Sequence, residues 1–292
     1  MITKLAFRNL FRNRWRSLLT IGGVAAAVVV LVWVNAFTEG MMTQMIRGAT
    51  TLETGQVQIQ TEAYAEDPKI WKSFPAGEAL YERVGGVEGV DSVTPRVEFY
   101  GLAGTERRSQ VARLVGLGTT RGRHRSPLSD AVVEGRWFGA EPPGPAAPRE
   151  AVVGIDLARQ IGVGVGDELV LFAEAADGSL GNDLVEIVGL IEAGNTTIDR
   201  QTTYLRLDEA QFLGAMEGEI HELVIRTERI QQAREVAGRV RQAAGWWQQT
   251  QMAGATTLVD GEEVPNELVV RPWQKLVPEL YQIIDLSRNS SW

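Results

Sequence analysis

The 292-residue chain contains no cysteine, so it has no disulfides and no thiolate metal sites. An exported domain without thiols cannot mispair them, which makes the absence compatible with an oxidising compartment without requiring one. Histidine is almost as scarce: His124 and His221 lie far apart, and no H-x-x-x-H pair exists to begin a zinc-protease site. No G-x-S-x-G elbow occurs, and with cysteine absent the common nucleophile motifs are missing. Lysine occurs only at positions 4, 69, 72 and 275, and none follows a glycine. The chain therefore has no G-x-x-x-x-G-K-[ST] loop with which to cradle phosphates. Any ATP has to be handled by another polypeptide. The expectation is a chain with no catalytic, cofactor or metal residues of its own.

Charge is unevenly spread. The net value is -8, yet residues 1–20 carry Lys4, Arg8, Arg12, Arg14 and Arg16 and no acid. The acidic remainder offers no cationic face for nucleic acid. Between Ser17 and Thr38 there is no formal charge over 22 residues, and as a helix these would span about 33 Å, close to a bilayer's hydrocarbon thickness. Cations precede this run and Glu39 follows it, so the positive-inside rule places the N-terminus in the cytoplasm and the following residues outside. Trp15 and Trp33 sit near its ends, where indole favours the interface. A cleaved signal peptide needs a shorter apolar run and a small-x-small site, and Val34-Asn35-Ala36 is a poor one. A buried soluble helix would need a polar face. Hydropathy alone leaves an inert anchor open.

The flanks carry more. Leu5, Phe7, Leu10, Phe11, Trp15 and Leu18 recur at spacings of two to four, and Lys4, Arg8, Arg12 and Arg16 every four. This predicts a basic amphipathic helix over residues 1–16 that lies on the cytoplasmic membrane face. After the span, Phe37, Met41 and Met45 fall at i, i+4 and i+8 with Met42 beside them. If the helix continues as a stalk over 39–54, they form one soft apolar stripe, of a kind found on promiscuous binding surfaces. Packing against the following domain is the plainer reading of the stripe.

Residues 55–286 alternate strand-like and helix-like pieces. Val57-Gln58-Ile59-Gln60 has period two. Strands are predicted at 92–103, 110–117, 131–134, 151–153, 168–173, 184–191, 202–207, 221–227 and 268–271. Helices are predicted at 76–84, 155–161, 209–213 (capped by Asp208), 228–244 and 273–286. The four prolines in 141–149 mark a loop. The pattern reads as an α+β domain with a mixed sheet. One lobe is built on 55–120 and 215–271, with a β-rich lobe inserted near 121–214. Gly162-Val163-Gly164-Val165-Gly166-Asp167 follows a helix and precedes a strand, the reverse of a dinucleotide fingerprint, and is better read as a helix cap and turn. His124 belongs to a basic loop, His221 decorates a strand, and Trp246, Trp247 and Trp273 pack at the domain base. Asp130 and Glu134 are an acid pair of the sort chance supplies among 37 acids.

Leu5-Ala6-Phe7-Arg8-Asn9-Leu10-Phe11-Arg12-Asn13, followed by Arg16-Ser17-Leu18-Leu19-Thr20, resembles the start of MacB/FtsX-type ABC transporter permeases. Gly55-Gln56-Val57-Gln58-Ile59, with Tyr64 and Asp67 behind it, is similar to the segment after the first span in lipoprotein-releasing (LolC/LolE-type) permeases. Val93-Thr94-Pro95-Arg96, Val115-Gly116-Leu117-Gly118, Glu134-Gly135-Arg136-Trp137-Phe138, Val153-Gly154 through Val165-Gly166-Asp167, Val188-Gly189-Leu190, and Trp273 with Leu276, Pro278 and Tyr281 continue the likeness in order. Each motif alone is weak, and the order supplies the specificity.

The resemblance implies one transmembrane helix followed by a MacB-like periplasmic core domain with a Porter-like lobe and an inserted Sabre-like lobe. It implies a location in the bacterial inner membrane and a type VII transporter whose ATP and magnesium sit on a separate P-loop ATPase. A second permease subunit and a lipid-bearing client, lipoprotein above all, are the further implied partners. Phe37, Met41, Met42 and Met45 become candidates for acyl-chain contact. The family pattern continues into three more spans, so residues 287–292 read as the approach to a second one, in an N-terminal part of a longer permease. MacB-like efflux, mechanotransmission, and a bitopic sensor complete at Trp292 remain alternatives.

Overall fold

The computed structural model describes residues 14–49, 52, 54–118, 121–122, 126–139, 148–259 and 261–289. It divides into two compact units, Met1–Gly48 and Ala49–Trp292. The first is dominated by one unbroken helix, α1 (Arg14–Ala49). Its segment Arg14–Thr38 is apolar enough to cross a membrane and none of it is buried within the protein. Thr20, Asn35 and Thr38 each donate a side-chain hydrogen bond to the carbonyl four residues earlier. Their polar groups are thus satisfied within the helix, as an apolar solvent demands.

The second unit is α+β. Its strands are β1 (Val57–Thr61), β2 (Phe74–Pro75), β3 (Val90–Gly104), β4 (Ser109–Leu117), β5 (Arg121–Gly122), β6 (Val132–Gly135), β7 (Arg149–Gly154) and β8 (Glu168–Glu174). They continue as β9 (Leu180–Ile191), β10 (Thr202–Arg206), β11 (Glu219–Ile220), β12 (Glu222–Thr227), β13 (Thr256–Val259), β14 (Glu262–Pro265) and β15 (Leu268–Pro272). The large mixed sheet runs β15-β1-β12-β3-β4-β10-β7-β9-β6, with β8 pairing both β3 and β9. Those pairings close a ring, β3-β4-β10-β7-β9-β8. Closure removes free sheet edges there. Segment 121–214 supplies four of the ring strands, and β3 and β4, which precede it in sequence, supply the other two. β3 is 15 residues long and joins the ring to the rest of the sheet, pairing β12 through its first half and β8 through its last.

The register puts Val97, Phe99, Leu114, Leu171, Ile187 and Leu205 on one face, all buried. A second cluster gathers Val115, Leu128, Val152, Val188, Ile191, Ile198 and Tyr204. Helices α2 (Glu62–Glu66), α3 (Glu78–Gly85), α4 (Pro127–Asp130), α5 (Ile155–Ile161), α6 (Thr196–Gln201), α7 (Leu207–Leu213), α8 (Ala233–Gln251), α9 (Trp273–Leu276) and α10 (Pro278–Asn289) complete the unit. Gly162 ends α5 at φ +87° and donates its N–H to the Ala158 carbonyl, so the glycine-rich stretch is a helix cap leading to β8. Asp208 lies within the first turn of α7 rather than capping it, because the helix begins two residues earlier than expected, at Leu207 behind Arg206. The predicted helix over 273–286 is two helices, broken before Pro278, whose ring and missing N–H do not fit a helix interior.

Candidate functional site

Two groups of residues stand out: the exposed outer part of α1 and a charged cluster sealed inside the sheet. On α1, Trp33 and Phe37 stack at 5.6 Å between ring centroids with 17° between planes. Phe37 and Met41 are both more than half exposed, one turn apart on the same face. Met42 and Met45 lie on the same helix, with side chains outside the described residues. Arg14 and Arg16 open the helix and are exposed. Lys4, Arg8 and Arg12, with residues 1–13 of the expected surface helix, lie outside the described residues, as do His124 and most of the proline-rich loop.

The cluster is built by register. Arg96 on β3 faces Glu222 on β12 directly, and Arg96 Nε donates to Glu222 Oε2 at 2.9 Å. A second guanidinium–carboxylate contact from Arg96 Nη2 makes the pair two-pronged. Two residues along β3, Glu98 accepts from Arg113 of β4 at 3.3 Å, and Arg113 also donates to Thr202 Oγ1 of β10 at 3.2 Å. Burial pushes the Glu98 carboxyl up to about 7, with Glu222 adding to the rise and Arg96 opposing it.

His221 sits beneath this row, fully buried rather than decorating a strand surface. Its Nδ1 accepts the Glu98 N–H at 2.9 Å and its Nε2 donates to the Ile70 carbonyl at 2.8 Å. That pattern assigns a neutral ring protonated on Nε2. Burial lowers its pKa to about 4. Tyr64 stacks on the imidazole at 4.6 Å, 8° from parallel. It is placed by Thr61, whose hydroxyl caps α2 by accepting the Tyr64 N–H. Asp67, at the end of α2, accepts from the buried Lys72 at 2.9 Å.

Sequence reasoning singled out Tyr64, Asp67, Arg96 and His221 separately, and the fold brings Tyr64, Arg96 and His221 into one cluster. It missed Glu98, Arg113 and Glu222; the available signal was charge at mid-strand positions in otherwise apolar β runs. The tryptophans do pack. Trp247 donates Nε1–H to the Pro75 carbonyl at 2.8 Å, Arg83 lies over the Trp246 ring at 4.3 Å, and Trp273 is buried. Asp130 closes α4 and Glu134 lies exposed on β6. Among the described residues no group of three His, Asp or Glu side chains is arranged to hold a metal ion. The cluster pairs cations with anions across β3, β4 and β12.

The family model described as the MacB-like periplasmic core domain matches residues 17–275. The periplasmic region of MacB from Actinobacillus actinomycetemcomitans is similar in structure at TM-score 0.51 and 10% identity, covering 82% of this chain and 98% of that one. The extracellular domain of the noncanonic ABC-type transporter YknZ from Gram-positive bacteria aligns at TM-score 0.48 and 15% identity, covering 74% and 98%. No curated protein matches in sequence. In this chain one apolar N-terminal helix precedes a mixed α+β domain, and that domain shares its fold with the MacB periplasmic region. The chain belongs to the family of the MacB-like periplasmic core domain.

Proposed function

We propose that this chain is a permease subunit of a type VII ABC transporter and does no chemistry itself. The family match over residues 17–275 carries the reading. ATP and magnesium bind a separate cytoplasmic P-loop ATPase, and a second permease subunit completes the complex. The helix α1 conveys motion across the inner membrane, from a cytoplasmic N-terminus to a periplasmic domain. A continuous 36-residue helix suits that task, since it extends 11 residues beyond Thr38 without a break. Residues 4–16 hold the cytoplasmic membrane surface.

The client is a lipid-anchored or amphiphilic molecule, lipoprotein in the first instance. Phe37, Met41, Met42 and Met45 receive its acyl chains. The exposure of Phe37 and Met41 supports this, because a flexible thioether next to an aromatic ring adapts to chains of varied shape. The test is reconstitution of the protein in proteoliposomes with a candidate cytoplasmic P-loop ATPase subunit from the same organism. ATP hydrolysis that rises when the permease is present, with ATP-dependent release of a lipoprotein, is expected. No complex with that ATPase would sink the permease reading, and ATPase coupling without lipoprotein release would move the client to the efflux alternative.

A further inference from the structure

Strand β15 is an edge of the large sheet, paired only to β1. Its neighbours fix which main-chain groups face outward. Glu267 accepts from Glu62 and Trp273 donates to Gln56, both on the β1 side. By the alternation of an antiparallel ladder, Leu268 and Val270 therefore direct their N–H and C=O away from β1. Two of these four groups are met by side chains of α8. Gln248 Oε1 accepts the Leu268 N–H at 2.8 Å, and Arg241 donates to the Val270 carbonyl over 3.4 Å. The Leu268 carbonyl and the Val270 N–H have no partner among the described residues.

A cleft of about 650 Å³ opens beside this edge, between β15 and one flank of α8. The flank residues Arg241, Gly245, Gln248 and Met252 recur at helical spacing along its wall. Gly245 is the informative one. A Cβ built there meets nothing within 4 Å, so the glycine is not required by packing inside the domain. Glycine is also the poorest helix former after proline. Its presence mid-helix keeps the wall open at the height of the unpaired strand. An edge strand beneath an overhanging helix is the geometry by which proteins add an extended peptide to a sheet.

We propose that this cleft binds an extended peptide segment of a partner protein, added antiparallel to β15. The five residues of β15 offer about 17 Å of edge, enough for a short ladder in which the peptide replaces Gln248 and Arg241 as partner of the outward groups. The charged lining sets polarity: Arg241 lies by Val270 and Glu267 precedes the strand. An antiparallel peptide therefore carries an acid at its start and a base at its end. Small or β-branched side chains face Gly245. An acyl chain fits poorly, because it offers nothing to the Val270 N–H. The site lies wholly within the periplasmic domain and stands independently of the transport reading.

The probe is a display library of random decapeptides selected against the full chain in detergent micelles. Enriched peptides should alternate β-branched and polar residues. Their affinity should fall at least tenfold in Gly245→Leu, which fills the cleft where no atom now stands, while the thermal unfolding midpoint stays unchanged. Residue-resolved hydrogen exchange at the Val270 amide should slow at least tenfold on adding the best peptide. If Gly245→Leu fails to fold, Gln249→Trp, at an exposed position of the same wall, reads the same loss. No enrichment, binding indifferent to these variants, or unchanged exchange at Val270 overturns the proposal.

Discussion

Arg96 and Glu222 oppose each other across β3 and β12 with their side chains almost sealed from water. Removing one partner strands a buried charge, so Glu222→Ala should cost about 3–5 kcal/mol of stability. Replacing both, as Arg96→Met with Glu222→Leu, should cost far less and can be neutral. Chemical denaturation followed by tryptophan fluorescence distinguishes the two. Equal losses in the single and double variants would mean the pair is ordinary packing rather than a coupled charge site.

Two opposing titrations bracket the stability of the domain. His221 is lowered to about 4 from an ordinary 6.5 by burial, so its contribution is present above 6.5 and lost as pH falls through 4. Glu98 and Glu209 are raised to about 7 from 4.5, first by burial, with Glu222 and Asp208 respectively adding to it. Their contribution is full below 4.5 and lost as pH rises through 7. Above 4.5 the two carboxyls together outweigh the single imidazole, so the unfolding midpoint should peak at roughly pH 4 to 4.5 and fall toward the alkaline side. Glu209→Gln should flatten the alkaline limb and leave the acid limb as it is. An unchanged alkaline limb would assign the loss to Glu98 or elsewhere.

How much of this was legible in the sequence depends on whether local pattern or distant partners decide. The α1 span needed only length and absence of charge. Strand β1 was legible as a strand from its period-two alternation, while the burial of its polar members Gln58 and Gln60 was not. Helix α8 was expected over 228–244 and runs Ala233–Gln251. Its glutamine-rich last turns lack an apolar stripe, yet Trp247 and Met252 are buried and anchor that end. The ring closure by β8 was not legible, since nothing in its seven residues names β3 as the second neighbour. The charge cluster was hidden for the same reason: its members come from positions 64 to 222 and meet only in the register.

Gly116 lies where β4 passes under α7. An added Cβ would stand 2.3 Å from the Ala210 Cβ and 2.7 Å from a Val97 methyl. Both neighbours are buried, so neither yields easily. Gly116→Ala should destabilise by about 1–3 kcal/mol through overpacking. The double variant Gly116→Ala with Val97→Ala would recover part of it. A thermal shift assay on the three proteins measures this, and additive losses would show that Val97 does not form the obstruction.

Charge placed along α1 should have opposite consequences at two depths. Val28 lies midway in the apolar segment Arg14–Thr38, where a carboxylate costs about 2.5–3.5 kcal/mol of insertion. Val28→Glu should therefore reduce the amount of protein recovered in the membrane. Met41 lies one turn beyond that segment on the same helix, so Met41→Glu should insert normally. If the outer stripe receives acyl chains, Met41→Glu should abolish client release in proteoliposomes, because a carboxylate cannot shed its water into a lipid contact. Met41→Leu keeps an apolar side chain of similar volume and should retain most activity. Normal release by Met41→Glu would remove Met41 from the client path, whatever the protein's partners prove to be.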